Sequence, residues 1–143
     1  MKTIILDGSN IIRRRYLSCG QNPDFSQEAP MESQLVQMMS QFREDGTRVE
    51  IYFDGPKRST WHKDDCVEVF FSGHKKADDL IVNTVAELAE NYGQEVTIIT
   101  QDYQLQQRCK TYGADVITTH NFWQNYQNCY EYQTISPAWA QNW

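Results

Sequence analysis

The chain has 143 residues, a length that fits one domain whose core needs neither a disulfide framework nor a structural metal. Thirteen Lys and Arg against nineteen Asp and Glu leave a net charge of −6, so bulk charge gives no basis for binding a polyanion and such a partner has to be held locally. Cys19, Cys66, Cys109 and Cys129 form no CxxC pair, which excludes a zinc knuckle or dithiol redox motif and leaves reduced packing thiols.

In chain order, Thr3-Ile4-Ile5-Leu6 is a short β-branched run that predicts a first strand. Asp7 follows it at once, so the apolar stretch is too short for a signal peptide or a membrane span, and the expectation is a soluble cytoplasmic protein. Residues 18–30 carry turn formers without a period and predict an irregular connection. Met31, Leu35, Met38, Met39 and Phe42 then recur at helical spacing between Pro30 and Gly46. Strands are predicted at 49–53 and 67–71, followed by a helix with Leu80, Ile81, Val85, Leu88 and Ala89 apolar, which Gly93 stops. A fourth strand at 96–100, a helix from Tyr103 to Tyr112 ended by Gly113, and a fifth strand at 115–118 complete the series. Strands that are apolar almost throughout and alternate with helices predict an α/β sandwich with a mostly parallel sheet of five strands. From Phe122 onward Phe122, Trp123, Tyr126, Tyr130, Tyr132, Trp139 and Trp143 stand among Gln and Asn. The expected division is a domain over 1–122 and an aromatic-rich extension over 123–143, packed on that domain or used for a protein partner or base stacking.

Ligands of an open parallel sheet bind beyond the carboxyl ends of its strands, and there this sequence places aspartate. Asp7 follows the first strand, Asp54 the second, Asp78 and Asp79 open the helix after the third, and Asp102 comes after the fourth. Each alone suits a helix cap or a turn. Together they are costly, because two carboxylates about 4 Å apart repel by about 4 kcal/mol at an effective dielectric near 20, which a bound cation relieves. An acid-only set suits Mg²⁺ or Mn²⁺, and His62, His74 and His120 lack zinc-site spacing. Carboxylate-held ions of this kind activate water and stabilise the charge of phosphodiester hydrolysis. Arg13, Arg14, Arg15, Lys57, Arg58, Lys63, Lys75 and Lys76 flank the first three acidic connections, where they could grip phosphates.

The segments Ile4-Ile5-Leu6-Asp7-Gly8-Ser9-Asn10, Tyr52-Phe53-Asp54-Gly55, Ala77-Asp78-Asp79-Leu80-Ile81 and Ile98-Ile99-Thr100-Gln101-Asp102 resemble, in order and spacing, the PIN-like nuclease superfamily, in particular its NYN branch and the YacP-like group. The likeness spans roughly residues 3–122. It implies a three-layer, Rossmann-like α/β/α domain that binds one or two Mg²⁺ or Mn²⁺ ions and cleaves RNA to leave 5′-phosphate ends; the mechanism expected here is endonucleolytic. It further implies that Asp7, Asp78 and Asp102 are the metal-binding acids and that Asn10 orients the first acid or the phosphate, with Asp79 and Asp54 as outer ligands.

Gln104 stands where many relatives carry a further acid, and Ser9 where many YacP-like sequences carry an aromatic residue; no role is expected of Ser9. The motifs are also similar to the 5′-nuclease domains of DNA polymerases, whose helical arch and helix-hairpin module this length does not accommodate. No Walker loop or GxGxxG occurs. Two other readings share these residues: a PIN-like module that binds RNA or protein without cutting, to which Gln104 gives support, and the toxin of a toxin–antitoxin pair.

Overall fold

A computed structural model describes the backbone of residues 2–18, 25–59 and 65–131 and, within these, the side chains of all but 15–18, 25–30, 42 and 126–131. Lys63, Cys19 and the aromatic residues Tyr132, Trp139 and Trp143 lie outside the described residues, as do the side chains of Arg15, Tyr126 and Tyr130.

The five predicted strands are present: β1 (Lys2–Asp7), β2 (Thr47–Phe53), β3 (Val67–Phe71), β4 (Glu95–Ile99) and β5 (Asp115–Ile117). They form one sheet in the order β3-β2-β1-β4-β5, and each of its pairings is parallel. Parallel neighbours require crossovers, and the helices lie on both faces of the sheet. On one face lie α1 (Gly8–Ser18), α2 (Phe25–Phe42) and α5 (Thr119–Glu131); Ile11, Leu35, Met39 and Phe122 pack with Leu6, Ile51, Phe53 and Ile99. On the other lie α3 (Ala77–Tyr92) and α4 (Tyr103–Lys110), where Ile81, Val85 and Leu105 pack with Ile5, Tyr52 and Ile98. Neighbouring strand residues such as Ile5 and Leu6 thus serve opposite cores, which is why the strands show no polar alternation. The result is a three-layer α/β/α fold of Rossmann-like strand order, with the carboxyl ends of all five strands at one edge.

Two elements differ from the sequence expectation. Helix α2 begins at Phe25, so Phe25–Pro30, expected as irregular connection, are helical. The helix runs on past Pro30 to Phe42. Helix α1 starts directly after β1, where Arg13-Arg14-Arg15 concealed the apolar contribution of Ile11 and Ile12, both buried. Among the described residues no helix is long and apolar enough to cross a membrane.

Candidate active site

The strand order reverses direction between β1 and β4, and the site forms there. Register sets its centre. Leu6 of β1 lies opposite Ile99 of β4, so the next residues, Asp7 and Thr100, meet side by side. The Thr100 Oγ1 hydroxyl lies 2.9 Å from Asp7 Oδ2 and 3.3 Å from Asn10 Oδ1; its single proton goes to the nearer, charged oxygen. The same Oγ1 accepts the Asp102 N–H at 3.1 Å, and Asn10 Oδ1 accepts the Gln101 N–H at 2.8 Å. Thr100, fully buried, therefore joins the ends of β1 and β4 and fixes Asp7, Asn10 and Asp102 relative to one another. The Asn10 amide is oriented by its occupied oxygen, so its NH₂ is the end left to donate outward.

Close approach at this edge requires Gly8. A Cβ there would lie 2.5 Å from the Phe53 ring and 2.9 Å from the Tyr52 carbonyl oxygen. Ser9, to which the sequence assigned no role, is buried, and its hydroxyl accepts the Asp54 N–H at 2.9 Å. The loops after β2 and β3 are joined to each other: Phe53 O accepts the Ser72 N–H, Gly55 O accepts the Gly73 N–H, and Ser72 Oγ accepts the Gly55 N–H.

Asp54 Oδ1 accepts the Ala77 N–H at 3.3 Å, serving the start of α3 from outside, because the residue at its N-cap is Lys76 and makes no side-chain cap. Asp54 Oδ2 receives Arg13 at 3.1 Å. Asp78 and Asp79 follow in the first turn of α3, where the helix dipole favours acids. They diverge, since consecutive helical residues point about 100° apart. Asp78 shares the field of Asp102 and Asp54, whereas Asp79 is exposed and bound by Arg108 of α4 at 3.0 Å. Asp102 caps α4 by accepting the Leu105 N–H at 3.2 Å.

Burial, with the charges of Asp78 and Asp54, pushes the Asp7 carboxyl up to about 7, against the opposing effect of the Thr100 hydrogen bond. Asp78 is likewise raised, by burial first and then by Asp102 and Asp54. Asp7, Asp54, Asp78 and Asp102 thus share one electrostatic neighbourhood, and Asp79, exposed and paired with Arg108, adds a smaller charge to it beside Asp78. Their donors are hard oxygens and their mutual repulsion is what a cation relieves, so they fit Mg²⁺ or Mn²⁺ by chemistry. Among the described residues no three His, Cys, Asp or Glu side chains are grouped to hold a metal.

The basic residues divide. Lys57, Lys75 and Lys76 are exposed on the two joined loops, and Arg14 is exposed on α1. Arg58 instead forks onto Glu32, which is 1% exposed, with Nε 2.8 Å from Oε1 and Nη2 on Oε2. It also donates to the Asp54 and Pro56 carbonyls and lies over the Phe71 ring at 4.8 Å. Arg58 therefore ties the loop bearing Asp54 to α2.

Aspartates gathered at the carboxyl edge of a three-layer, five-stranded parallel α/β/α sheet are what the sequence resemblance implied. The chain belongs to the YacP-like NYN domain family, whose profile matches residues 4–135. Crystal structures of Rae1 (YacP) from Bacillus subtilis share the fold. The W164L mutant superposes with a TM-score of 0.72 at 22% identity, covering 92% of this chain and 78% of that one. Another Rae1 structure gives 0.70 at 19% identity, over 92% and 76%. Comparison with curated protein sequences returns no match.

Proposed function

We propose that this chain is a metal-dependent endoribonuclease that hydrolyses RNA phosphodiester bonds at the acidic carboxyl edge. The observation that carries the reading is Asp7, a buried carboxylate held by the Thr100 hydroxyl where β1 and β4 end, and raised to about 7 by burial and by Asp78 and Asp54. Asp7, Asp78 and Asp102 are the residues that would hold Mg²⁺ or Mn²⁺, with Asp54 at the margin. When bound, the ion supplies a water of lowered pKa and charge stabilisation at phosphorus. The outward NH₂ of Asn10 donates to a non-bridging phosphate oxygen, while Thr100 keeps Asp7 aligned. Lys57, Lys75, Lys76 and Arg14, with Arg13 beside Asp54, hold flanking phosphates. No side chain is needed as a covalent nucleophile. Membership of the YacP-like NYN family supports the ribonuclease class.

Gln104, exposed where many relatives carry a further acid, favours one other reading: a module that binds RNA without cutting it. A circular RNA separates the two and also the mode of cutting, since it has no ends for an exonuclease. The endonuclease reading expects linear products with Mn²⁺ or Mg²⁺ and none in EDTA. Bound but intact circles under every condition would establish the binding module.

A further inference from the structure

Three large hydrophobic side chains among the described residues are exposed: Tyr92 at 66%, Tyr103 at 70% and Tyr112 at 36%. Two stand away from the acidic edge. Tyr92 ends α3, whose first turn carries Asp78, and Tyr112 lies beyond the far end of α4. Tyr103 is different. It is the first residue of α4 and follows Asp102 directly, so their Cα atoms are about 3.8 Å apart. Its ring is not required by the core, since α4 buries Leu105 and Cys109.

The strand order fixes what lies across the edge from it. The joined loops after β3 and β2 bring exposed Lys75, Lys76 and Lys57; β1 brings Asp7; β4 brings Asp102 and then Tyr103. A nucleic-acid strand laid along this edge meets ammonium groups at one side, carboxylates in the middle and an aromatic face at the other. An aromatic face takes a base only when that base is unstacked, and a duplex hides its base faces. We propose that Tyr103 is a base-stacking residue that restricts this site to single-stranded RNA, holding the unpaired base next to the scissile phosphate. The term scissile rests on the nuclease reading; the stacking itself does not require cleavage.

The test is the binding of a short single-stranded RNA containing 2-aminopurine, followed by fluorescence in EDTA with the full chain, beside a duplex of the same sequence. Tyr103→Ala should weaken single-strand binding about tenfold, equivalent to about 1.4 kcal/mol. Tyr103→Phe, which keeps the ring, should stay within about twofold of wild type, and Tyr92→Ala should match wild type. Duplex binding should be weaker and indifferent to Tyr103→Ala. Equal single-strand binding by wild type and Tyr103→Ala, an equal loss for duplex and single strand, or no single-strand binding by wild type would overturn the proposal. Cleavage with Mn²⁺ separates the two readings. Cutting by Tyr103→Ala with wild-type KM would end the stacking proposal and leave the nuclease. RNA left intact by wild type, with Tyr103-dependent quenching preserved, would end the nuclease reading and leave the stacking site.

Discussion

Asp7→Asn should make the fold more stable at neutral pH while removing a metal ligand. In the folded chain the Asp7 carboxyl is raised from 3.8 to about 7, so between these values the native state binds a proton that the unfolded state has released. Native stability contributed by this proton is therefore fully present below about pH 4 and is lost as pH rises through about 7. The shift is about 3 units at ~1.4 kcal/mol each, so ionised Asp7 costs about 4 kcal/mol at pH 8. Asparagine has nearly the same shape and carries no charge; its one oxygen can accept the Thr100 hydroxyl, at the cost of the hydrogen bond that the Asp7 carboxylate receives from the Asn10 backbone N–H, about 1 kcal/mol against the larger electrostatic gain. Denaturant unfolding from pH 4 to 8 without metal should show the two proteins level at the acid end and the variant ahead by a few kcal/mol at the alkaline end. Mn²⁺ at about 100 times its Kd should then add about 2.7 kcal/mol to wild type and far less to Asp7→Asn. A variant less stable than wild type at pH 8 without metal would refute the claim that Asp7 is a strained, ligand-awaiting carboxylate.

Other substitutions separate structural from chemical roles. Gly8→Ala should destabilise by about 1–3 kcal/mol in denaturant unfolding, because its Cβ would meet the Phe53 ring and the Tyr52 carbonyl. Arg58→Ala should cost about 3–5 kcal/mol in the same measurement by leaving Glu32 buried without its partner. Lys57→Ala, altering an exposed side chain, should leave stability within about 0.5 kcal/mol and reduce the salt slope of RNA binding by about one. Asp79→Asn should retain most cleavage activity, since Asp79 is exposed and held by Arg108, whereas its neighbour substitution Asp78→Asn should lose activity at least a hundredfold in a single-turnover cleavage assay.

The strands and the acidic edge were legible because a parallel sheet covered on both faces needs apolar runs, and aspartates directly after such runs share an edge. Pairwise assignments were not. Asp78 and Asp79 are equivalent in sequence, but the helical rotation sends one toward Asp102 and the other to Arg108. Lys57 and Arg58 are neighbouring cations; only the fold brings Glu32 of α2 to Arg58 and leaves Lys57 in solvent. Ser9 and Thr100 act through hydroxyls placed by strand register, and that register depends on β1 lying between β2 and β4, strands distant in the chain. The Thr-x-Asp spacing at residues 100–102 was the available signal for Thr100. Tyr103 read as part of a helical pattern, and its exposure beside Asp102 emerges only when α4 is seated on the sheet.

The most direct test of the metal-dependent nuclease reading is the single-turnover rate of RNA cleavage as Mn²⁺ is titrated, for wild type and for Asp7→Asn, Asp78→Asn and Asp102→Asn. The account expects a saturable Mn²⁺ dependence in wild type and a loss of at least about a hundredfold in each variant, with folding intact. Metal-independent cleavage, or variants that cut as fast as wild type, would contradict it.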